Sequence, residues 1–254
     1  MPPDWVKDFY TKQIAWGIRY STDDELSDAC AGFAVYVGAV RRLAGSGPHR
    51  LLELGPGGGG VSAALAASGH TVVAIEIVDE AAERASWWSR KLPAGQMTVI
   101  HGDFYDVEPG APFDAVCYFD GFGIGTDDEQ RVLLRRVRSW LAPNGVFLVD
   151  VLTPWYWSAQ AGRPYAFGGL EGRFGFNAEG CRMIAEAWPS GDRSNIVAQT
   201  LRCYSPADLV LLLEGTGLVL ESYEPYDNEN YDNAVPLHQA MLYLAKIVPE
   251  PRER

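Results

Sequence analysis

The chain has 254 residues, 33 acidic against 21 basic, giving a formal charge of −12, and 47% of it is apolar. A domain of this size buries roughly three quarters of its unfolded surface and needs neither a disulfide nor a structural metal to fold, and its ordinary charged and aromatic content excludes a disordered or collagen-like chain. The acidic excess weighs against a nucleic-acid binder, which needs a basic face for phosphates.

Segment 26–43 places Phe33, Val37, Val40 and Leu43 near helical spacing and ends in two arginines, which suits a helix carboxyl terminus. Short apolar runs then alternate with amphipathic segments, as in a parallel sheet with helices on its faces. His49 to Leu54 reads as a first strand, followed by a glycine run and a small-residue helix from Val61 to Ser68. Thr71 to Ile75 is a second strand, Asp79 to Lys91 a helix, Met97 to His101 a third strand and Ala115 to Phe119 a fourth. Thr126-Asp-Asp-Glu129 is a capping box that opens the next helix. The turn Ala142-Pro-Asn-Gly145 leads into a fifth strand, Val146 to Val151.

From Leu152 to Cys203 the alternation breaks into a glycine- and aromatic-rich stretch with two strand-like runs, 181–188 and 195–203, which reads as an inserted lid or small antiparallel addition. Ser205-Pro206 opens a further helix, closed by Gly215 and Gly217. Two last strands, 218–223 and 239–248, flank a polar segment.

Cys30, Cys117, Cys181 and Cys203 form no CxxC pair, so neither a zinc site nor a disulfide framework is expected, and they read as buried thiols of a reducing, cytoplasmic compartment. The amino terminus is not of the basic-then-apolar signal type, and no apolar run approaches the ~18 residues of a membrane span, so no membrane partner is expected.

The strongest signal is Glu53-Leu54-Gly55-Pro56-Gly57-Gly58-Gly59-Gly60, between a strand and a helix. Glycine there permits a tight turn and lets a ligand lie on the backbone at a helix amino terminus. Gly55, Gly57 and Gly60 satisfy GxGxxG, whereas Gly55, Gly57 and Gly59 satisfy GxGxG, so the run alone is ambiguous. Glu53 would meet a pyrophosphate with like charge but would suit an ammonium group. Glu76, after the second strand, suits ribose hydroxyls, and Asp103, after the third, suits an adenine amino group.

With ELGPGGG (53–59), VVAIEIVDEAAERA (72–85), GDF (102–104), FDAVCYF (113–119) and LAPNGVFLV (141–149), the chain resembles the class I S-adenosylmethionine-dependent methyltransferases over about residues 50–247. The resemblance implies a Rossmann-like, doubly wound α/β fold with a seven-stranded, mostly parallel sheet, an antiparallel last strand and S-adenosylmethionine as cofactor. It places Glu53, Gly55, Gly57 and Gly59 at the methionine end and the turn, Glu76 on ribose, Ile77 against adenine, and Asp103 and Phe104 around adenine, with Phe119 in the same site. The leading segment, with Tyr10, Trp16 and Tyr20, resembles the helix that covers the cofactor in many small-molecule members, Tyr10 contacting the methionine end. The chain then divides as one domain, 1–254: a helical cover (1–48), a cofactor-binding core (49–151), an inserted cap (152–204) and a carboxyl-terminal helix and strand pair (205–254).

The segments after strands four and five and the loop 224–238 lie at the same end of such a sheet. Asp120 and His238 are the candidates for proton acceptor or substrate-orienting group. Trp155, Tyr156 and Trp157 are candidates for an aromatic wall against a planar or cationic acceptor, and His101 reads as a packed residue. The expected reaction is methyl transfer to an N or O atom of a small molecule, neutral or cationic and partly aromatic. Two other readings stay open: an NAD(P)-dependent oxidoreductase, through the glycine run with Gly60, and a catalytically silent cofactor-binding module.

Overall fold

The computed structural model describes residues 5–16, 25–110 and 112–251, so Tyr20 lies outside the described residues. Three helices, α1 (Trp5–Trp16), α2 (Leu26–Gly32) and α3 (Ala34–Ala44), lead into β1 (Arg50–Leu54), α4 (Gly60–Ala67), β2 (Thr71–Glu76), α5 (Asp79–Lys91), β3 (Met97–His101), β4 (Phe113–Tyr118), α6 (Asp127–Trp140) and β5 (Leu141–Leu152). Next come α7 (Pro154–Gln160), β6 (Pro164–Phe167), β7 (Leu170–Asn177), β8 (Arg182–Pro189) and β9 (Val197–Arg202). The chain closes with α8 (Pro206–Leu213), β10 (Leu218–Tyr226), a 3-10 turn (Leu237–Gln239) and β11 (Leu242–Pro249).

The main sheet has seven strands in the order β10-β11-β5-β4-β1-β2-β3. β1, β2, β3, β4 and β5 run parallel, and β11 lies antiparallel between β5 and β10. The fold is the Rossmann-like one expected. Side chains alternate across it, as a pleated strand requires: Leu51 packs with Leu65 and Trp88 on one face, and Leu52 and Leu54 pack with Leu133, Val137, Trp140 and Leu209 on the other. Both faces are covered, so the ligand-accessible rim is the carboxyl end of the parallel strands.

The expected capping box is present at Thr126 with Glu129, and the expected N-cap Ser205 forms a second one with Asp208. The helix expected over 26–43 breaks at Phe33, which follows Gly32 and leaves helical geometry at φ −112° and ψ 15°. The expected turn at Ala142–Gly145 is an irregularity within β5, where pairing steps from Phe113 with Leu141 to Ala115 with Val146.

A second, antiparallel sheet, β6-β7-β8-β9, stands between β5 and α8 in the chain. It has four strands where two were legible, and it is preceded by α7, which was not legible. Gly172 hid the extra hairpin: it sits opposite Tyr165, and a Cβ there would meet the Tyr165 ring at 2.1 Å, so the aromatic ring covers the glycine across the strands. α1 joins the two sheets. Phe9 packs with Ala187 and Val197 of the second sheet, and Ile14 packs with Val78 and Ala81 beside the first.

Of the cysteines, Cys117 and Cys203 are buried but Cys30 and Cys181 are partly exposed, all four as free thiols. His101 is not packed as expected. It ends the edge strand β3, half exposed, with Nε2 2.7 Å from Asp79 Oδ1.

Gly59 caps α4 in the left-handed region, φ 78°, and a Cβ on it would stand 2.7 Å from Ala85 Cβ and 2.8 Å from Ala85 Cα. Its smallness lets α4 and α5 approach. Gly59→Ala is expected to cost about 1–3 kcal/mol, read as a lowered denaturation midpoint; an unchanged midpoint would contradict this packing account.

Candidate active site

At the carboxyl ends of β1, β2 and β4 lies a cavity of about 310 Å³, lined by Tyr10, Glu53, Gly55, Gly57, Glu76, Ile77, Asp103, Phe104, Phe119 and Asp120 among others. The parallel strands deliver these residues to one rim because each ends at the same side of the sheet. Gly55 and Gly57 take φ 60° and 54°, values that L side chains rarely adopt.

Glu76, the last residue of β2, braces this turn. Its Oε2 accepts the Gly57 N–H at 2.9 Å and its Oε1 accepts the Val78 N–H at 2.8 Å. A carboxylate has about four lone-pair positions, so capacity remains for a pair of ribose hydroxyls. Burial pushes its pKa up, against which the backbone N–H groups act. Asp103 Oδ1 accepts the Tyr105 N–H at 2.8 Å, and Oδ2 takes no partner among the described residues. Ile77, Val78 and Ala81 supply an apolar floor, and Val6, Tyr10 and Ile14 of α1 face the same cavity.

Glu53 is 3% exposed. The Ser62 hydroxyl donates to its Oε2, and burial raises its pKa to about 7. No lysine or arginine faces it among the described residues. A buried carboxylate without a cation is costly to ionise, and the ammonium of a methionine moiety would relieve that cost.

Beyond Glu53 lies a second acidic group. Asp120 follows β4 in the left-handed region, φ 52°, with its N–H donating to both carboxylate oxygens of Asp150 at 2.9 Å. Its side chain is exposed to the cavity, and desolvation by the surrounding walls first, then Glu229 and Asp150, push its carboxyl well above the usual range. Asp150, on β5, is raised to about 7 mainly by burial, and it accepts from the Tyr231 hydroxyl at 3.2 Å. Tyr36, Phe119 and Tyr231 pack around this corner with ring centroids 5.1, 5.2 and 6.2 Å apart.

Tyr10, on α1, donates its hydroxyl to Gln199 Oε1 of β9 at 3.0 Å. Burial, with the Asp120 and Glu76 carboxylates, pushes its pKa upward.

Several candidates stand elsewhere. Gly59 does not line the cavity; its place is against Ala85. His238 is exposed on the 3-10 turn, because β11 starts only at Leu242, and its Nε2 contacts the neighbouring Gln239 amide at 3.3 Å. Trp155, Tyr156 and Trp157 belong to α7. Trp157 is buried, packed edge-on against Tyr156 and Phe174 at 5.4 and 5.1 Å. None of the three lines the cavity. Trp157 packs on Phe174 of β7, and Tyr156 packs against the edge of Trp157.

Residues missed in the sequence include Gln13 and Ile14, one helical turn beyond Tyr10 and so readable from its spacing, and Tyr36, whose position depends on the break at Phe33. Gly60 owes its presence to packing. A Cβ there would meet the Phe33 ring at 2.2 Å, which accounts for the fourth glycine without a pyrophosphate.

A sheet of this order with one reversed strand, acids at three successive strand ends and a glycine turn between β1 and α4 defines the Rossmann-like, S-adenosylmethionine-dependent methyltransferases. A family model described as a methyltransferase domain matches residues 31–223. The chain belongs to this methyltransferase family, and nothing found supports the oxidoreductase reading. It is similar in fold to the CcbJ methyltransferase from Streptomyces caelestis, with 20% identity over 98% of this chain and 100% of that one and a TM-score of 0.73. An S-adenosylmethionine-dependent methyltransferase from Clostridium acetobutylicum is 15% identical over 96% of this chain and 99% of that one, TM-score 0.67. The sugar N-methyltransferase KedS8 from Streptoalloteichus is 19% identical over 99% of this chain and 94% of that one, TM-score 0.59. No curated protein sequence matches the chain significantly.

The raised pKa of Glu53 has a consequence for binding. A cationic ligand group favours the ionised carboxylate, so affinity grows as pH rises toward and past about 7 and levels off above it. Calorimetric titration with S-adenosylhomocysteine between about pH 6 and about pH 8, roughly one unit either side of that value, is expected to show this rise in the wild type and its loss in Glu53→Gln. A flat wild-type profile would contradict the placement of the ammonium at Glu53.

Proposed function

We propose that the protein transfers a methyl group from S-adenosylmethionine to a nitrogen or oxygen atom of a small molecule. The observation that carries the acceptor side is Asp120, a carboxyl held at the cavity wall beyond Glu53 with no lysine or arginine facing it among the described residues. The cofactor, when bound, supplies an electrophilic methyl on a sulfonium. Glu76 and Asp103 hold ribose and adenine, the backbone of Gly55 and Gly57 admits the methionine part, and Glu53 takes its ammonium. Tyr10 and Ile14 roof the cavity and exclude water, which matters because in-line displacement depends mainly on approach and desolvation.

Asp120 accepts the proton that the acceptor atom loses. Its raised pKa makes it a stronger base than an ordinary carboxylate, and Asp150 fixes it through the backbone N–H. The acidic corner and the rings of Tyr36 and Phe119 favour a neutral or cationic, partly aromatic acceptor over an anion. Among the fold neighbours, KedS8 is a sugar N-methyltransferase and CalS10 an amino pentose methyltransferase, which supports a small-molecule acceptor. Among the described residues no helix is long and apolar enough to cross a membrane.

Single-turnover assays with labelled methyl donor against panels of amines, phenols and carboxylates test this reading. Turnover of amines or phenols is expected, with Asp120→Asn slowing it by about 10²–10⁴ while S-adenosylhomocysteine affinity stays within about threefold. Failure to bind S-adenosylhomocysteine, or a preference for anionic acceptors, would overturn it.

A further inference from the structure

The loop after β4, Asp120-Gly-Phe-Gly-Ile-Gly125, has a glycine at every second position, so its backbone is free of side-chain restraint at three of six residues, with Phe122 buried between them. Yet Asp120 and Ile124 line the cavity. From the core side Phe122 is buried against Tyr118 and Tyr204, Asp150 holds the Asp120 N–H, and Gln130 of α6 accepts the Gly123 N–H at 3.4 Å and donates to the Ile124 carbonyl. A further restraint comes from the inserted sheet. Arg182, the first residue of β8 in the inserted sheet, donates from Nη1 to the Gly125 carbonyl at 2.8 Å and from Nη2 to the Gly123 carbonyl at 3.1 Å. Its guanidinium is itself aimed by Thr200 of β9, through Nε to Oγ1 at 3.0 Å and Nη2 to the carbonyl at 3.0 Å.

The backbone of the same strand completes the junction. The Arg202 N–H donates to the Gly123 carbonyl at 2.8 Å, and Ile124 pairs with Leu201 in an antiparallel bridge. Gly123 is obligatory for this approach, since a Cβ on it would lie 2.4 Å from the Arg202 carbonyl oxygen. The loop is thus an extra rung of the inserted sheet, and Arg182 grips it from that side at two carbonyls.

We infer that Arg182 is a positioning residue for Asp120, holding the glycine loop so that the Asp120 carboxylate faces the transferring methyl. The inference rests on the proposed role of Asp120. The planar fork of arginine satisfies both loop carbonyls and Thr200 at once, which the single ammonium of lysine does not reproduce.

The test uses sinefungin, a cofactor analogue with an ammonium where the sulfonium methyl stands, compared with S-adenosylhomocysteine by calorimetry. Both ligands probe the full chain without an acceptor. Asp120→Asn is expected to lower the preference for sinefungin by about tenfold. Arg182→Met is expected to lower it by at least about threefold with S-adenosylhomocysteine affinity within about twofold, and Arg182→Lys to fall between. If Arg182→Met does not fold, Thr200→Val, which removes only the hydroxyl that aims the guanidinium, is expected to give a smaller change of the same kind.

Outcomes separate cleanly. Wild-type protein that fails to bind S-adenosylhomocysteine sinks the proposed function. An unchanged ratio in Asp120→Asn removes Asp120 from the methyl site and the inference with it. A shift in Asp120→Asn with none in Arg182→Met, or in Thr200→Val where that variant stands in, overturns the inference alone, as does an equal loss of both ligands.

Discussion

The site is organised around carboxylates that face no lysine or arginine among the described residues, Glu53 and Asp150 buried and Asp120 open to the cavity. Glu53, Asp120 and Asp150 sit at or near the carboxyl ends of β1, β4 and β5, and burial dominates the upward shift of each. Ionising such groups in a protein interior is expensive unless a counter-charge arrives. Hydroxyl and backbone donors from Ser62, Tyr231 and Asp120 soften the cost without removing it. A sulfonium and the ammonium beside it carry positive charge of the kind these carboxylates lack among the described residues, so binding the cofactor relieves part of that cost.

The remainder of the architecture keeps those carboxylates in place. Parallel strands deliver them to one rim, glycines let the first turn pass close beneath a ligand, and Glu76 ties the second strand to that turn through Gly57. The inserted sheet acts on the same region from above, through the pairing of Ile124 with Leu201 and the reach of Tyr10 to Gln199. The inserted sheet lines none of the cavity itself and acts through two residues that do, Ile124 and Tyr10.

Legibility in the sequence followed the range of the interactions. Capping boxes and strand-end acids are local patterns, so Thr126, Ser205, Glu53, Glu76 and Asp103 were readable from neighbours in the chain. His238 was placed by extrapolating a strand three residues too early, and a 3-10 turn carries it to the surface. Trp155, Tyr156 and Trp157 have the composition of a binding wall, but only the pairing of distant strands decides that two of them fill the cap core. The fourth glycine was ambiguous for the same reason, since the Phe33 ring it accommodates lies 27 residues away in sequence, by the difference between positions 60 and 33. Arg182 carried no local motif at all.

α1 presents one side to each sheet, Phe9 to the cap and Ile14 to the first turn of α5. A helix of 12 residues has little stability in isolation, so its order is borrowed from both partners at once. Loss of either sheet's native packing withdraws the apolar contacts on one side of it, and its own loss uncovers both. Folding of cap and core is therefore cooperative through a segment that belongs to neither. Destabilising substitutions in the distant hairpin β6–β7 should be felt as loosened protection of the core beneath α1.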